Sequence, residues 1–408
     1  MAELLCKQDP ARYEQYLQYD RRKNEHYMDV QLSKAVYGTV QAALRFYEDL
    51  SGFLESEGFV VNPYDFCVFN KMINDKQCTI LFHVDDLKIS HTSDDTISEI
   101  IKKLSTRFGK LAPLTVTRGK VHKYLGITLD YRVDGKVKVI ITDNVDEILK
   151  DAPQELLKPS RDQARTPAGK DLFDVDENSE KLDDDKSEKF HSITYKLLFI
   201  SKRGRPDIQV AVGFLCTRVN TSTIQDWKKL SRILRYLQNT RDLYLTLDVD
   251  DLCIFTWYVD ASYNVHVDSK GHSGWAGFFG GGVLMCSSKK QSITSGSSTE
   301  SELIAISDGL KDITWAYYFM EEQGYDMSPS VIFQDNESTI KLAKNGRRSS
   351  TRTKHINNRF FRVHDKFKND EIDLHYCASE RMWADGLTKP LQGKAFIEFR
   401  NNLLNTGH

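Results

Sequence analysis

The run Phe255-Thr256-Trp257-Tyr258-Val259-Asp260 is rich in aromatic and β-branched residues and ends on an acid. This composition is typical of a β-strand, and we place the start of the strand near Cys253. The elements that follow are predicted from their hydrophobic period: two strands within the Gly-rich Gly271–Ser288, a long helix at Thr299–Gln323, a strand at Val331–Gln334 and a strand at Asp373–Tyr376. The alternation predicts a separate α/β domain with a mixed sheet over residues 251–408.

Four carboxylates stand where these elements begin or end: Asp260, Glu302, Asp335 and Asp385. A single acid at a strand end or a helix start is more often a cap than a ligand. Four acids, each at the end or start of a successive element, favour a shared metal-binding role over four separate caps. Mg²⁺ prefers oxygen ligands, and phosphodiester hydrolysis commonly uses two such ions about 4 Å apart. The four residues are therefore candidate metal ligands.

A second acidic motif lies near the N-terminus, in Leu81-Phe82-His83-Val84-Asp85-Asp86-Leu87-Lys88-Ile89-Ser90. Its apolar runs predict a β-hairpin with Asp85 and Asp86 near the bend. A bare Asp-Asp pair is also common turn chemistry, so the pair alone is a weak signal. An amphipathic helix is predicted from Leu32 to Leu54, and another at Asp95–Phe108. A helical block is predicted from Phe190 to about Leu237, broken at Arg205-Pro206 and at Asn220-Thr221.

The composition indicates a globular protein, with 40% hydrophobic and 28% charged residues among 408. We find no run of about 18 apolar residues, so no membrane span and no membrane partner are expected. The seven cysteines are scattered and odd in number, which favours reduced thiols over disulfides or a zinc site. The net charge of -2 hides a segregation, because residues 341–368 hold ten basic residues and one acid, and residues 171–188 hold nine acids and two lysines.

The C-terminal motifs resemble the ribonuclease H domain of copia-type retrotransposons. They are Asp260-Ala261-Ser262, Ser297-Ser298-Thr299-Glu300-Ser301-Glu302, Gln334-Asp335-Asn336, Lys354-His355-Ile356 and Ala384-Asp385-Gly386-Leu387-Thr388-Lys389. The resemblance implies that Asp260, Glu302, Asp335 and Asp385 are the metal ligands, with Glu300 the nearest competitor of Glu302. His355 either assists product release or only packs.

The N-terminal motifs resemble the reverse transcriptase of the same family. They are the Asp85-Asp86 hairpin, Leu32–Tyr47 beside the nucleotide pocket, Asn62–Phe69, Tyr124-Leu125-Gly126-Ile127 at the primer, and the block from Arg205 to Leu237 as thumb and connection. By this resemblance Gln41 and Arg45 contact nucleic acid, and Asp85 and Asp86 hold metal. The first catalytic Asp of the family and the fingers are expected to be missing, since Asp29 lacks the family context and is interpreted as a surface acid.

Together the motifs predict an α/β (α+β) chain: a partial polymerase palm at 1–150, an acidic linker at 151–189, a helical thumb or connection at 190–250, and a ribonuclease H-like mixed-sheet domain at 251–408. The cofactor implied is Mg²⁺, two ions per active site, with Mn²⁺ as a substitute. The partners implied are an RNA–DNA hybrid, an RNA template with a DNA primer, and dNTPs.

The basic run is interpreted as a track for the nucleic-acid backbone through Arg347, Arg348, Arg352, Lys354 and Arg359. Taken alone, such a run of charges is usually just a solvated face. Its place between the third and fourth candidate ligands favours contact with nucleic acid. Two other functions are kept open: a catalytically inactive nucleic-acid-binding remnant, and a cellular nuclease unrelated to transposition. An intracellular location, cytoplasmic or nuclear, is expected, and the sequence leaves the oligomeric state open.

Overall fold

The computed structural model describes residues 2–29, 39–110, 112–159, 164–346 and 357–406. The described chain is a mixed α/β structure with several sheets, which confirms the predicted fold class. The helices are α1 (Ala2–Gln8), α2 (Pro10–Tyr13), α3 (Val40–Ser56), α4 (Asp94–Phe108), α5 (Thr142–Asp151), α6 (Gln154–Leu157), α7 (Asp184–Arg203), α8 (Gln209–Cys216), α9 (Ile224–Asn239), α10 (Ser298–Glu322), α11 (Glu337–Asn345), α12 (Asn357–Lys368), α13 (Asp385–Thr388) and α14 (Gly393–Leu404).

The strands are β1 (Leu17–Asp20), β2 (Glu25–Met28), β3 (Val60–Asn62), β4 (Asp65–Ile73), β5 (Lys76–His83), β6 (Asp86–Ser90), β7 (Val121–Tyr124), β8 (Ile127–Asp130), β9 (Lys136–Ile140), β10 (Leu245–Asp248), β11 (Thr256–Ser262), β12 (His272–Phe278), β13 (Met285–Lys290), β14 (Ser330–Gln334) and β15 (Ile372–Tyr376). Among the residues described, no helix is long and apolar enough to cross a membrane.

The C-terminal sheet has the strand order β13-β12-β11-β14-β15. The first three strands are antiparallel, and β14 and β15 run parallel to β11. The long helix α10 makes the connection that leads to β14 and packs its buried Leu303, Ile304 and Leu310 against the aromatic side chains of Trp257 and Trp275. This burial of large apolar groups holds the helix start over the sheet.

The N-terminal sheet has the order β3-β4-β5-β6, and its core is shared with α3 and α4. Asn74 and Asp75 both have positive φ, 50° and 57°, which is the two-residue hairpin turn between β4 and β5. The predicted hairpin β5–β6 is present. The sequence motif from Leu32 to Gly38 lies outside the described residues, and the helix is described from Val40.

The N-terminal sheet touches the C-terminal half of α10. The side chain of Asn62 donates to the carbonyl of Phe319 at 3.1 Å, and the indole of Trp315 donates to the carbonyl of Tyr64 at 2.9 Å. The rings of Tyr64 and Tyr318 stack with centroids 5.2 Å apart. The first part of the chain therefore packs directly on the long helix of the C-terminal sheet.

The helical block between the sheets is broken at the two places predicted, giving α7, α8 and α9. A buried ion pair lies in the segment between α7 and α8: the guanidinium of Arg205 donates to both carboxylate oxygens of Asp207, at 2.9 and 2.8 Å. The hydroxyl of Tyr236 also donates to Asp207, at 2.6 Å, and Arg205 donates to the carbonyl of Thr240 at 2.9 Å. Every member of this buried network is satisfied, which is the condition for burying charge.

The predicted acidic linker contributes buried side chains to the core of the helical block. Ala164, Ala168, Leu172 and Leu182 all pack into this core. The same core takes in Phe278 of β12 and several residues of α14. The segment therefore packs against the folded chain despite its acidic composition, while the division into domains stays a prediction.

Two sequence expectations differ from the structure. The first thirty residues are polar with little hydrophobic period, which predicts a poorly packed lead-in. They contain α1, α2 and the pair β1–β2, and Cys6 is the only buried side chain among residues 2–29. Asp260 does not close its strand, because β11 continues to Ser262 in register with β12, pairing Asp260 with Gly274. The partner strand, and not the local composition, sets the end of β11.

A chain of buried polar side chains lies between the β11–β12 connection and the helical block. His266 Nε2 and His272 Nδ1 share a hydrogen bond of 3.0 Å, and His272 Nε2 bonds with the Ser288 hydroxyl at 2.8 Å. The ring of Phe173 packs on both imidazoles, with centroids 5.1 and 5.2 Å away. Burial lowers the pKa of His266 to about 4 and that of His272 to about 3.

This histidine pair predicts a pH-dependent stability. The ordinary histidine pKa is 6.5, so below that pH the unfolded chain binds protons that the folded chain refuses, and the free energy of unfolding falls as the pH drops from 6.5 toward 3. His272→Gln is expected to flatten this slope. The measurement is urea unfolding at pH 7, 6, 5 and 4, followed by tryptophan fluorescence.

The matched control is His191→Gln, since His191 is exposed on α7. It is expected to keep the wild-type slope. An unchanged slope in His272→Gln would show that the buried pair does not couple protonation to folding.

Candidate functional site

Three of the predicted carboxylates come together at one edge of the C-terminal sheet. Asp260, Glu302 and Asp335 each offer an oxygen, and the three oxygens lie within 4.8 Å of one another. Asp260 comes from β11, Glu302 from the first turns of α10, and Asp335 from the residue after β14. The parallel pairing of β11 and β14 brings their carboxyl ends to the same side, and α10 begins over that side.

Asp260 is almost wholly buried, with 1% of the residue exposed. Its Oδ2 accepts a short hydrogen bond from the hydroxyl of Thr388, and the ammonium nitrogen of Lys389 lies 3.5 Å from the same oxygen. Its Oδ1 is buried and has no hydrogen-bond partner among the described residues. Burial, opposed by the charge of Lys389, raises the pKa of Asp260 to about 6.

Glu302 is also buried, and one amide side chain orients it. Gln334 Nε2 donates to Glu302 Oε2 at 3.1 Å and to the carbonyl of Val259 at 3.2 Å. Gln334 thus links α10 to β11. Burial first, and then the charges of Asp260 and Asp335, raise the pKa of the Glu302 carboxyl well above its ordinary value.

Asp335 is the least buried of the three and faces the turn that follows β15. The hydroxyl of Ser379 donates to Asp335 Oδ2 at 3.0 Å. Sequence reasoning missed Thr388, Gln334 and Ser379 as supports of the three carboxylates. Thr388 and Gln334 stand in the same sequence motifs as Asp385 and Asp335, but only the folded chain shows which oxygen each side chain holds.

Asp385, the fourth predicted ligand, lies beside this group and is not part of it. It begins α13, and its Oδ1 accepts from Lys389 at 2.8 Å. Burial raises its pKa, against the opposing effect of Lys389. Gly274 lets α13 lie close against β12, because a Cβ at this position would be 2.7 Å from Thr388 Cγ2 and 2.8 Å from Leu387 Cβ.

The donor set fits a divalent, oxygen-preferring cation. Three carboxylates share a small and mostly buried space, and one buried oxygen of Asp260 lacks any partner among the described residues. Such a gathering of acids is unfavourable unless positive charge compensates it. Carboxylate oxygens are the ligands that Mg²⁺ and Mn²⁺ accept.

Glu300, the competitor of Glu302, is turned away from the group. Its carboxylate accepts from the backbone amide of Gly296 at 2.7 Å, in the loop before α10. The geometry therefore favours Glu302, as the motif did. His355 lies outside the described residues.

The predicted nucleic-acid contacts are only partly described. Arg359 on α12 is paired with Asp308 of α10 and also donates to Ser292 Oγ at 3.2 Å. Gln41 and Arg45 are exposed on α3. Arg347, Arg348, Arg352 and Lys354 lie outside the described residues.

The second predicted metal site is exposed. Asp85 lies in the turn between β5 and β6, and Asp86 begins β6. Within the described ranges, the only group of three or more His, Cys or acidic side chains close enough to share an ion is that of Asp260, Glu302 and Asp335. Asp29, expected as a surface acid, is exposed after β2 and accepts from Gln18 at 3.1 Å.

Residues 17–158 match the model of the family described as reverse transcriptase (RNA-dependent DNA polymerase). The chain is 26% identical to the retrovirus-related Pol polyprotein from transposon TNT 1-94 of Nicotiana tabacum, over 91% of this chain and 28% of that protein. It is 26% identical to the Pol polyprotein from transposon RE2 of Arabidopsis thaliana, over 91% and 25%.

The transposon TyH3 Gag-Pol polyprotein of Saccharomyces cerevisiae is 23% identical over 92% of this chain and 22% of its own length. The chain thus spans about a quarter of the length of these curated relatives. The resemblance to the Pol polyproteins of copia-type transposons is confirmed.

Two solved ribonuclease H1 structures also align with the chain. LC11-RNase H1, isolated from compost, is 15% identical over 33% of this chain and 92% of its own, with a TM-score of 0.27. The enzyme of Halobacterium salinarum is 11% identical over 38% and 99%, with a TM-score of 0.24.

Proposed function

We propose that this chain is the polymerase and ribonuclease H part of a retrotransposon Pol polyprotein. The premise is that it contains a reverse transcriptase domain and is related along most of its length to such polyproteins. The reaction proposed for its C-terminal sheet is cleavage of the RNA strand of an RNA–DNA hybrid. The observation that carries this proposal is the group Asp260, Glu302 and Asp335, with its buried and unpartnered oxygen.

The proposed cofactor is Mg²⁺, two ions per site, with Mn²⁺ as a substitute. Asp260, Glu302 and Asp335 would hold an ion, and Asp385 is the candidate fourth ligand. Bound ions of this kind supply an activated water and stabilise the leaving oxygen in phosphodiester hydrolysis. Asp385 accepts a hydrogen bond from the ammonium group of Lys389, which lies where it would compete with an ion for this carboxylate.

The protein's own part in the reaction is to fix the ligands before substrate arrives. Thr388 holds one oxygen of Asp260, Gln334 holds one oxygen of Glu302, and Ser379 holds one oxygen of Asp335. Each carboxylate keeps a second oxygen for other contacts. Ligands fixed in this way lower the cost of organising the site when nucleic acid binds.

The proposed partners are an RNA–DNA hybrid, an RNA template with a DNA primer, and dNTPs. Arg359 and the basic residues before it would contact phosphates, and Gln41 and Arg45 would lie at the nucleotide pocket. A protein with these substrates acts inside the cell, in the cytoplasm or the nucleus.

DNA synthesis by this chain alone is proposed to be weak. Asp85 and Asp86 would hold metal in a polymerase, but the chemistry needs a further carboxylate on a neighbouring strand. No such group of three is found at the hairpin within the described residues. This absence favours a second candidate function for the N-terminal part, namely binding nucleic acid without extending a primer.

The first test is hydrolysis. Purified chain with Mg²⁺ and a labelled RNA–DNA hybrid is expected to cleave the RNA strand, and Asp335→Asn is expected to lower the rate at least about 100-fold, because one ligand oxygen loses its charge. The readout is the appearance of short RNA on a denaturing gel.

The matched control is Asp326→Asn, at an exposed position before β14. It is expected to cleave at the wild-type rate. Folded wild-type chain that leaves the hybrid intact would contradict the proposed activity and support the inactive remnant.

The second test is primer extension. The chain is expected to extend oligo(dT) on poly(rA) very weakly or not at all, because no third carboxylate joins Asp85 and Asp86 among the described residues. Hydrolysis measured in the same preparation is the control for intact protein. Robust extension that is lost in Asp86→Asn would contradict this expectation.

A further inference from the structure

We propose that Lys389 sets the number of divalent ions held by the carboxylate site, by keeping a second ion out of the space beside Asp260 and Asp385 in the free protein. The inference rests on the proposed metal-dependent function and adds to it a residue that determines ion occupancy. Lys389 is therefore a positioning residue, acting through the ligands.

The geometry places one ammonium group against both carboxylates. Lys389 Nζ lies 2.8 Å from Asp385 Oδ1 and 3.5 Å from Asp260 Oδ2. Among the described residues, Lys389 is the only basic side chain within 4.0 Å of Asp260. A cation that bridges two carboxylates stands where a second metal ion sharing them would have to bind.

An ordinary surface ion pair does not explain this contact. Lys389 and Asp385 are four residues apart at a helix start, a spacing that often gives weak and exposed pairs. However, the side chain of Asp260 is 1% exposed and that of Asp385 is 21% exposed. The side chain of Lys389 is itself 43% exposed, so solvent screens part of its charge. The screening is weaker on the side that faces the buried carboxylate, and there the charge opposes the binding of a neighbouring cation.

Counting charges gives the direction of the effect. When ionised, the carboxylates of Asp260, Glu302, Asp335 and Asp385 carry a total charge of -4. The ammonium group of Lys389 brings the net charge of the site to -3. One divalent ion changes the net charge of the site to -1, which still attracts cations weakly. A second ion would change it to +1. Without Lys389 the two-ion state is neutral. Removing this charge should therefore strengthen the binding of the second ion more than that of the first.

The experiment measures ion binding without nucleic acid. The full chain carrying Asp85→Asn and Asp86→Asn removes the hairpin acids, and Mn²⁺ binding is followed by the electron paramagnetic resonance signal of the free ion. This background protein is expected to bind one ion tightly and a second weakly. Adding Lys389→Gln is expected to tighten the second site at least about tenfold, and to change the first site less.

Two further variants separate charge from packing. Lys389→Arg keeps the charge and is expected to restore the weak second site, and Lys389→Met is a second neutral variant in case Lys389→Gln fails to fold. Lys394→Gln removes an exposed lysine of α14, 89% exposed in its side chain, and is expected to leave both affinities unchanged.

The outcomes distinguish this inference from the proposed function. A first site that is tight in the background protein and lost in Asp335→Asn, together with an unchanged second site in neutral Lys389 variants, overturns the role of Lys389 and leaves the proposed function standing. A background protein that binds no Mn²⁺ overturns both.

Discussion

The rest of the site depends on holding three mutually repelling carboxylates within 4.8 Å of one another in a mostly buried place. Such an arrangement is unfavourable by itself, because burial first, and then the neighbouring carboxylates, raise the pKa values of Asp260 and Glu302. The fold opposes the repulsion with apolar packing. The large buried side chains of α10 lie against the two tryptophans of β11 and β12, and this packing holds Glu302 over the sheet edge where Asp260 stands.

The same chain shows what a compensated buried charge looks like. Around Arg205 and Asp207, each charged group meets its opposite, and Tyr236 and Thr240 take the remaining hydrogen bonds. At Asp260 one oxygen is held by Thr388 and approached by Lys389, while the other has no partner among the described residues. The first arrangement is satisfied by the protein alone, whereas the proposed cation would complete the second.

Much of this architecture is predictable from local sequence, because hydrophobic period and turn residues act within a few positions. The hairpin of Asp85 and Asp86, the breaks in the helical block and the order of elements after Cys253 are all of this kind. Local sequence also predicts, from their places near the ends and starts of elements, the three acids that the structure brings together, Asp260, Glu302 and Asp335. Lys389 and Thr388 were not found as partners of Asp260, because a contact across almost 130 residues leaves no local signal.

Long-range pairing also explains the position of Asp260 within β11 and the burial of Leu172 and Leu182 in an acidic segment. Local composition cannot reveal a partner strand or a core supplied by distant helices.

The most direct test of the account is a crystal structure of the chain soaked in Mn²⁺, with anomalous diffraction. We expect a peak at about 2.2 Å from oxygens of Asp260, Glu302 and Asp335, and an ordered site without such a peak would contradict the central claim.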